Sequence, residues 1–272
     1  MASARSVREL GCGGFGSVHL VEVTTTSGGR MLAARKTLLS NGQNAAQLCA
    51  ALTREVRANM LTARTSPFAP AVLGIAATAA GYSIFTEFAE NGSLGDRLER
   101  VASPASSSAL QLHMPVSELR KIAFSVLHAL SALNDKGYAH LDIKPANVLI
   151  SGCKYMLADY GICDQLCVEG KNLGLTGSWP YVSPEQWSGK ACRLNVDCFT
   201  LGISLAQCAV WPAGGRALTE LVKGERPLPD CVPEDLREFL GALTERDPAR
   251  RPSAKEALRL PFLAGLRVDD CL

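Results

Sequence analysis

The sequence predicts an α+β protein in which a small β-rich amino-terminal lobe is followed by a larger, mainly helical carboxy-terminal lobe. Two observations support this prediction. Over residues 1–89, short runs rich in Val, Ile, Thr and Phe alternate with turn signals around one helical stretch. Over residues 90–272, apolar residues recur at helical spacing instead. A length of 272 residues allows one large domain or two small ones.

The amino-terminal part is predicted to hold one main helix and four strands. The helix covers 45–63, which contains neither Gly nor Pro and carries apolar residues along one face from Leu48 to Met60. A Ser-Gly-Gly sequence at 27–29 is typical of a hairpin turn. The predicted strands are 18–24, 31–38, 72–77 and 82–88.

Three helices are predicted in the carboxy-terminal part. The first, 117–135, follows Pro115 and stops before Gly137. The other two, 233–244 and 253–260, each open with a proline-containing start signal. The carboxy-terminal part is therefore expected to pack helix against helix.

Composition excludes several classes of protein. The 28 Lys and Arg residues nearly balance the 26 Asp and Glu residues, and a net charge of +2 argues against bulk nucleic-acid binding. No stretch approaches the ~18 consecutive apolar residues of a membrane-spanning helix, so no membrane association is expected. The first eight residues lack the apolar core of a secretory signal. We therefore expect a cytoplasmic or nuclear location.

A glycine-rich stretch precedes the first predicted strand. Glycines let backbone N–H groups approach a polyphosphate where a Cβ atom would clash. In isolation, such a stretch is better explained as a glycine-rich hairpin without a ligand. Its residues are Gly11, Cys12, Gly13, Gly14, Phe15 and Gly16, with Val18 two positions later.

A lysine and a glutamate follow at a suggestive spacing. Lys36 lies on the predicted strand 31–38, and Glu55 lies 19 residues later on the predicted helix. A Lys that binds phosphate oxygens must be held by an opposing carboxylate, and a strand beside a helix can bring the two groups together. Taken separately, each residue is better explained as a solvated surface charge.

The strongest single motif lies between His140 and Asn147. Asp142, Lys144 and Asn147 on one tight loop would place a proton acceptor, a cation and a metal ligand around one transferring phosphoryl group. The carboxylate of Asp159 suits Mg²⁺, a hard cation that prefers oxygen ligands and substrate phosphates. Asp and Gly are also common turn residues, but their order here is not expected by chance.

In this order, the motifs resemble those of the eukaryotic protein kinases over nearly the whole chain. The resemblance implies a single protein kinase domain at 1–272, with the amino-terminal lobe and hinge at 1–89 and the carboxy-terminal lobe at 90–272. It implies a monomeric enzyme that uses ATP and Mg²⁺ to phosphorylate a protein substrate. The residues that carry it, besides the glycine-rich stretch, are Lys36, Glu55, His140 to Asn147, Asp159-Tyr160-Gly161, Ser183-Pro184-Glu185, Asp197 and Arg251.

The resemblance assigns roles at the phosphate end of the site. Lys36 would contact the α- and β-phosphates of ATP and pair with Glu55. Asp142 would accept the proton of the substrate hydroxyl, and Lys144 would steady the γ-phosphate. Two residues would hold Mg²⁺, namely Asn147 and Asp159.

The resemblance also assigns an adenine site. Thr86 would be a small gatekeeper that leaves a back pocket open. Structural roles go to Asp197, which would brace the catalytic loop, and to Glu185, which would pair with Arg251. The remaining nucleotide-binding positions are Ala34, Glu87, Phe88, Ala89 and Leu149.

Three positions depart from the usual family pattern. Leu141 replaces the Arg that normally binds a phosphate on the activation loop, so we expect activity that does not require phosphorylation of that loop. Tyr160 replaces the usual Phe between Asp159 and Gly161, a mild change. Asn59 places a polar group where most kinases pack an aliphatic residue.

These departures are similar to those of the Wee/Myt branch, which restrains cyclin-dependent kinases, so such a kinase is one expected partner. The similarity lies in residues 54–59, 140–147, 197–202 and 226–229. Against it, the segment from Thr176 to Ser178 lacks the Glu-Gly-Asp element of that branch, and Lys144 is typical of Ser/Thr kinases. A general Ser/Thr kinase and, less favoured, a catalytically silent scaffold are the alternatives. The acceptor hydroxyl stays open.

Overall fold

A five-stranded antiparallel sheet and one long helix form the amino-terminal lobe, for which four strands and one helix were predicted. The computed structural model describes residues 3–13, 16–38, 44–78, 81–101, 112–166, 170–174, 176–210, 214–225 and 227–272. Numbered along the chain, the five strands lie across the sheet in the order one, two, three, five, four. The strands are β1 (Ser3–Gly13), β2 (Gly16–Thr24), β3 (Arg30–Leu38), β4 (Val72–Thr78) and β5 (Gly81–Glu87).

The helix α1 (Ala45–Ala63) has the predicted bounds and packs on this sheet. It begins with a capping box, in which the side chains of Asn44 and Gln47 accept each other's backbone N–H groups. Its apolar face is buried at Leu48 and Leu52 but not at Met60, whose side chain is exposed. Steps of four residues overshoot the helical turn of 3.6 residues, so the face drifts and Asn59 becomes buried instead.

The edge strand β1 was not predicted. Its residues are mostly exposed, and it contains few β-branched side chains. It pairs with β2 from Ser3 to Gly13, with register shifts near Ser6 and Glu9. This strand therefore forms through backbone pairing with its neighbour rather than through burial of a side-chain face, which leaves no alternating pattern to detect.

Helices dominate the carboxy-terminal lobe. The central helix α3 (Val116–Asn134) is buried along one face from Leu119 to Leu133. The described helices are all too short or too polar to cross a membrane. Their bounds are α2 (Leu94–Val101), α3 (Val116–Asn134), α4 (Pro184–Trp187), α5 (Val196–Val210), α6 (Gly214–Lys223), α7 (Glu234–Leu243) and α8 (Ala254–Ala257).

The predictions for this lobe were confirmed for two helices and too long for a third. The stretch 253–260 holds only α8, which starts at a capping box between Ser253 and Glu256. The helices α2, α5 and α6 were not predicted from periodicity. In α5, fourteen of fifteen residues are buried, so no polar face marks the helix.

Short strand pairs hold the loops between the helices. The hairpin of β7 (Val148–Ser151) and β8 (Lys154–Leu157) follows the loop at 140–147, which we call the catalytic loop. The other pairs join β6 (Tyr138–Ala139) to β9 (Asp164–Gln165) and β10 (Lys171–Asn172) to β11 (Ala191–Cys192).

The expected ion pair between Glu185 and Arg251 is present and fully buried. Two nitrogen atoms of the Arg251 guanidinium group donate to the two carboxylate oxygens of Glu185, at 2.6 and 3.0 Å. The same guanidinium lies over the ring of Phe199 and donates to the backbone carbonyl of Glu245. This network joins α4 to the segment that precedes α8.

We predict that Arg251→Ala destabilises the fold by about 3–5 kcal/mol, because it leaves the carboxylate of Glu185 buried without a partner. The control is Arg250→Ala, which removes the neighbouring exposed arginine from its pair with Glu245 and should cost less than about 1 kcal/mol. Denaturant unfolding followed by circular dichroism measures both changes. Equal losses in the two variants would contradict the prediction.

Candidate active site

Lys36 joins three elements at the junction of the two lobes. Its Nζ atom donates to Oε1 of Glu55 at 2.7 Å and to Oδ1 of Asp159 at 2.6 Å. Burial opposes the charge on Lys36, but the two carboxylates outweigh this effect and hold its pKa above the ordinary value. Burial also opposes the charge on Asp159 and would raise its pKa, but the charge of Lys36 outweighs this effect and lowers the pKa of Asp159 overall. Lys36 and Asp159 are therefore both ionised at neutral pH, whereas burial raises the pKa of Glu55 despite the charge of Lys36.

Gly161 leaves the space that this ion pair occupies. A Cβ atom added at Gly161 would lie 3.3 Å from Oδ1 of Asp159 and 3.3 Å from Oε2 of Glu55. It would also lie 3.5 Å from Nζ of Lys36. The Asp-Tyr-Gly sequence thus supplies a carboxylate together with the room that its partners need.

The catalytic loop gathers its polar side chains around Asp142. Oδ2 of Asp142 accepts hydrogen bonds from Nζ of Lys144 at 2.8 Å and from Nδ2 of Asn147 at 2.9 Å. Nδ2 of Asn147 also donates to the backbone carbonyl of Asp142. The other oxygen, Oδ1, is buried and has no hydrogen-bond partner within the described part of the chain. One oxygen of this carboxylate is therefore held in place while the other can accept a proton or hydrogen bond.

Asp197 fixes the start of the catalytic loop, as expected. Its carboxylate accepts the backbone N–H groups of His140 at 2.7 Å and of Leu141 at 2.8 Å. Burial raises the pKa of Asp197 to about 6, although these two hydrogen bonds oppose the shift. The loop backbone is thus bonded to a group that stays ionised above that pH.

His140 connects the catalytic loop to the segment at Asp159. Burial lowers the pKa of His140 to about 4, so its ring is neutral at physiological pH. Nδ1 accepts the N–H of Asp142, which leaves Nε2 to donate to the carbonyl of Ala158 at 3.1 Å. The ring also packs edge-on against Tyr160, with 5.0 Å between the centroids. These contacts hold Ala158 and Tyr160, the residues on either side of Asp159, against the catalytic loop.

The structure places the predicted adenine positions at the edge between the sheet and β7. Ala34 lies opposite Thr86 in the pairing of β3 with β5, and Leu149 lies in β7. Phe88 and Ala89 follow β5 and are half-buried and buried, respectively. These positions therefore border the connection between the lobes.

The described residues of the glycine-rich stretch end β1 and begin β2, where Gly13 pairs with Gly16. Val18 lies opposite Gly11 on one side and Lys36 on the other. A Cβ atom at Gly16 would lie 2.1 Å from the carbonyl oxygen of Thr37, so only glycine fits there. Cys12 is exposed. Gly14 and Phe15 lie outside the described residues, as does position 226 of the Wee/Myt comparison.

A family model described as the protein kinase domain matches residues 4–263 of this chain, in agreement with the geometry of the site. The chain belongs to the protein kinase family. It is 28% identical to mitogen-activated protein kinase kinase 1 of Arabidopsis thaliana, over 97% of this chain and 75% of that relative. It is 31% identical to the Wee1-like protein kinase of rice, over 71% of this chain and 37% of that relative.

Two further relatives belong to the same two groups, the MAP kinase kinases and the mitosis-inhibiting kinases. The chain is 29% identical to the MAP kinase kinase skh1/pek1 of Schizosaccharomyces pombe, over 94% of this chain and 72% of that relative. It is 31% identical to the mitosis inhibitor protein kinase SWE1 of Candida albicans, over 53% of this chain and 12% of that relative. The protein is thus a protein kinase, and the Wee branch is only one of the groups that it is similar to.

Sequence reasoning missed two contacts of this kinase. Nζ of Lys144 donates to Oγ of Ser178 at 2.7 Å, which ties the activation segment (residues 159–185) to the catalytic loop. Lys154 donates to Oε1 of the hinge residue Glu87 at 3.0 Å. The position of Ser178, five residues before Ser183-Pro184-Glu185, was the available signal for the first contact.

The donor set suits a divalent cation of the kind that protein kinases use with ATP. The side chains of Asn147 and Asp159 offer oxygen atoms, which Mg²⁺ prefers. The two residues lie close together, because the N–H of Ala158 donates to the carbonyl of Asn147 at 2.9 Å. The residues present therefore fit a magnesium ion held with phosphate oxygens.

We predict that Glu55→Gln lowers kcat/KM for ATP by roughly 10- to 150-fold, since a hydrogen bond to a charged partner contributes about 1.5–3 kcal/mol. Lys36 would then keep only Asp159 as a charged partner. The matched control is Glu99→Gln on the exposed face of α2, which should leave kcat/KM within twofold. Steady-state kinetics at varied ATP concentration measure both. Indistinguishable values for the two variants would show that the ion pair is dispensable.

Proposed function

We propose that this kinase transfers the γ-phosphoryl group of ATP to a serine or threonine hydroxyl of a protein substrate. One observation carries the proposal: the carboxylate of Asp142 is held by Lys144 and Asn147 through Oδ2 while its buried Oδ1 has no partner in the described residues. A buried acceptor without a partner is costly unless a ligand supplies a donor. A substrate hydroxyl is such a donor.

In this proposal the protein acts by positioning and electrostatics rather than by covalent catalysis. Asp142 orients the acceptor hydroxyl and takes its proton as the hydroxyl oxygen bonds to the γ-phosphorus. The bond from that phosphorus to the β,γ-bridging oxygen breaks, and ADP leaves. Lys36 holds the α- and β-phosphates, and Lys144 lies beside Asp142, where it can stabilise the transferring group. Asn147 and Asp159 would hold Mg²⁺, which neutralises phosphate charge when bound.

The nucleotide base would lie at the connection between the lobes. We assign it to the backbone of Glu87, Phe88 and Ala89, with Ala34 and Leu149 on either side. The side chain of Glu87 is already used, since it accepts from Lys154 and from the N–H of Ala71. Together with the hydrogen bond from the N–H of Glu87 to the carbonyl of Ala71 at 2.9 Å, these contacts hold the first residue of the proposed adenine site.

The contact between Lys144 and Ser178 supports a serine or threonine acceptor. It draws the activation segment against the catalytic loop, so a substrate that lies on this segment approaches Asp142 closely. A short hydroxyl side chain can reach Asp142 from there. A tyrosine is longer by a phenyl ring and needs a substrate backbone that lies farther away.

A second candidate is inhibitory phosphorylation of a cyclin-dependent kinase. It is favoured by the similarity to the Wee1-like kinase of rice and to the mitosis inhibitor SWE1. The MAP kinase kinases, which match a larger share of this chain, favour a different target. The two groups of relatives therefore define which substrates to compare.

We predict phosphoryl transfer by the wild-type chain and a loss of at least 100-fold in kcat for Asp142→Asn, which keeps the size of the side chain but removes its basicity. The assay uses Mg-ATP with a cyclin-dependent kinase, a MAP kinase and a general protein substrate, followed by phosphosite mass spectrometry. Serine and threonine sites are expected. Tyrosine sites near the glycine loop of the cyclin-dependent kinase would favour the second candidate.

One folding control and two contrary outcomes complete this experiment. ATP binding by Asp142→Asn, measured by thermal shift, verifies that the variant is folded. If the folded wild-type chain binds ATP but modifies no substrate, the silent scaffold replaces the enzyme as the better explanation. Equal transfer by wild type and variant would exclude the role of Asp142.

Leu141 contacts the described part of the activation segment through apolar side chains. Leu141 is buried in an apolar cluster with Ala139, Leu166, Cys192 and Val196. Ile162 and Leu173, two residues of the activation segment, pack against this cluster while partly exposed. Position 141, where many kinases have a phosphate-binding arginine, thus carries a leucine that makes apolar contacts here.

We therefore predict that a broad-specificity phosphatase leaves the kinase activity within twofold, because no cation at position 141 depends on a phosphate. A kinase with Arg at that position serves as the treated control and should lose activity. Leu141→Ala should instead lower both stability, by about 2–5 kcal/mol, and activity. Inactivation of the wild-type chain by dephosphorylation would contradict this account.

A further inference from the structure

Two tryptophan side chains lie exposed and in contact beside the catalytic loop. The side chains of Trp179 and Trp187 are 48% and 60% exposed. Their ring centroids are 5.0 Å apart, and the rings are tilted by 42°. A tryptophan can bury about 150–250 Å² of surface, so leaving two of them in water costs stability that the fold does not recover. Exposed aromatic pairs of this kind mark contact sites.

The tryptophan pair begins next to a residue that is hydrogen-bonded to the catalytic loop. Trp179 directly follows Ser178, whose Oγ accepts from Nζ of Lys144 at 2.7 Å. The same Nζ donates to Asp142 at 2.8 Å. One hydrogen-bonded residue, Lys144, therefore connects the start of the tryptophan pair to Asp142, which is proposed to orient the acceptor hydroxyl.

The segment that carries the pair is firmly held. Ser183 and Gln186 form a capping box at the start of α4, and the side chain of Gln186 also donates to the carbonyl of Thr176. The hydroxyl of Tyr181 donates to the side chain of Gln207 in α5. Contacts on both sides of Trp179 fix the backbone, so the two rings are presented by a rigid support rather than by a mobile loop.

We propose that Trp179 and Trp187 form an aromatic shelf that binds an apolar side chain of the protein substrate, with proline as the best fit. This inference rests on the proposed phosphoryl transfer to a protein hydroxyl. Adjacent Cα atoms are about 3.8 Å apart and an extended substrate rises about 3.3 Å per residue. Since Trp179 directly follows Ser178, which Lys144 links to Asp142, we look for the selected residue within about three positions of the acceptor.

The chemistry of the shelf selects against charge. Indole faces stack well on flat or ring-shaped apolar groups, and proline-rich segments dock in aromatic-lined sites without losing much conformational freedom. An acidic residue gains nothing from an indole face. A basic residue could make a cation–π contact, but exposed Lys190 follows Trp187 by only three residues and adds repulsion.

The test uses the full chain and a set of peptides that share one acceptor and differ at the flanking positions. Each position within three residues of the acceptor carries Pro, Phe, Leu, Gly, Arg or Glu in turn. The wild-type kinase should prefer Pro or Phe over Gly at one of these positions by about three- to tenfold in KM, with kcat within twofold. Trp187→Ala should abolish this preference, and Trp187→Phe should restore part of it.

Ile75→Ala is the matched control, since it removes an exposed apolar side chain from β4 of the other lobe. It should keep the wild-type preference, and all variants should keep the wild-type KM for ATP. A preference for Arg or Glu, or an apolar preference that survives in Trp187→Ala, would overturn the shelf. Transfer that shows no flanking preference overturns the shelf while leaving the proposed function intact.

A binding measurement covers the case in which no peptide is phosphorylated. The best proline peptide with alanine in place of the acceptor is added to the kinase, and tryptophan fluorescence and indole N–H NMR signals are followed. The wild-type chain should show saturable changes that Trp187→Phe reduces and Ile75→Ala retains. Absence of any change in the wild-type chain overturns the shelf whether or not transfer is detected.

Discussion

The carboxylate of Asp197 accepts two backbone N–H groups of the catalytic loop, and the geometry of the site depends on that contact. Leu141 adopts a left-handed backbone conformation with φ of 71°, which costs a non-glycine residue roughly 1–2 kcal/mol. Two hydrogen bonds to a carboxylate, at 2.7 and 2.8 Å, contribute about 1.5–3 kcal/mol each and offset this strain. Asp142, Lys144 and Asn147 follow within six residues. Their convergence therefore depends on a turn that Asp197 holds.

The ion pair of Lys36 extends this constraint to the amino-terminal lobe. Lys36 lies on β3, Glu55 on α1, and Asp159 after β8, so one ammonium group joins three elements. Beneath it, the ring of Tyr160 packs on the ring of His140, and its hydroxyl donates to the carbonyl of Leu157. This ammonium group therefore links the amino-terminal lobe directly to the segment that follows the catalytic loop.

The polar residue Asn59 fits less simply into this interface. It is buried, and its Oδ1 atom has no hydrogen-bond partner in the described residues. An aliphatic residue would avoid the cost of burying an unpaired acceptor. Its position one turn after Glu55 places this cost on the helix that carries the ion pair.

Sequence patterns predicted the parts of the structure that rest on local signals. The bounds of α1 were predictable because its 19 residues lack Gly and Pro, and the motif from His140 to Asn147 was predictable because its polar residues are close in sequence. The strand β1 was not predictable, since backbone pairing rather than side-chain pattern forms it. The helix α5 has no polar face because it is buried on all sides.

The contacts between distant residues were beyond the reach of sequence patterns. Ser178 is 34 residues from Lys144, and Lys154 is 67 residues from Glu87. All four residues are of types that are usually solvated, so nothing local distinguishes them from surface residues. Their partners follow from how the two lobes and the activation segment pack, which is a property of the whole fold.

The cluster around Leu141 shows how one substitution changes the way the activation segment is held. A phosphate bound to arginine is a switch, because the charge-assisted hydrogen bonds exist only after modification. Apolar contacts are always available, and a fully buried leucine contributes about 1.5–3 kcal/mol whenever the chain is folded. Leu141 is 1% exposed and packs with Val196 at the start of α5, next to Asp197. The same few residues thus fix the catalytic loop and hold the activation segment, so order in one requires order in the other.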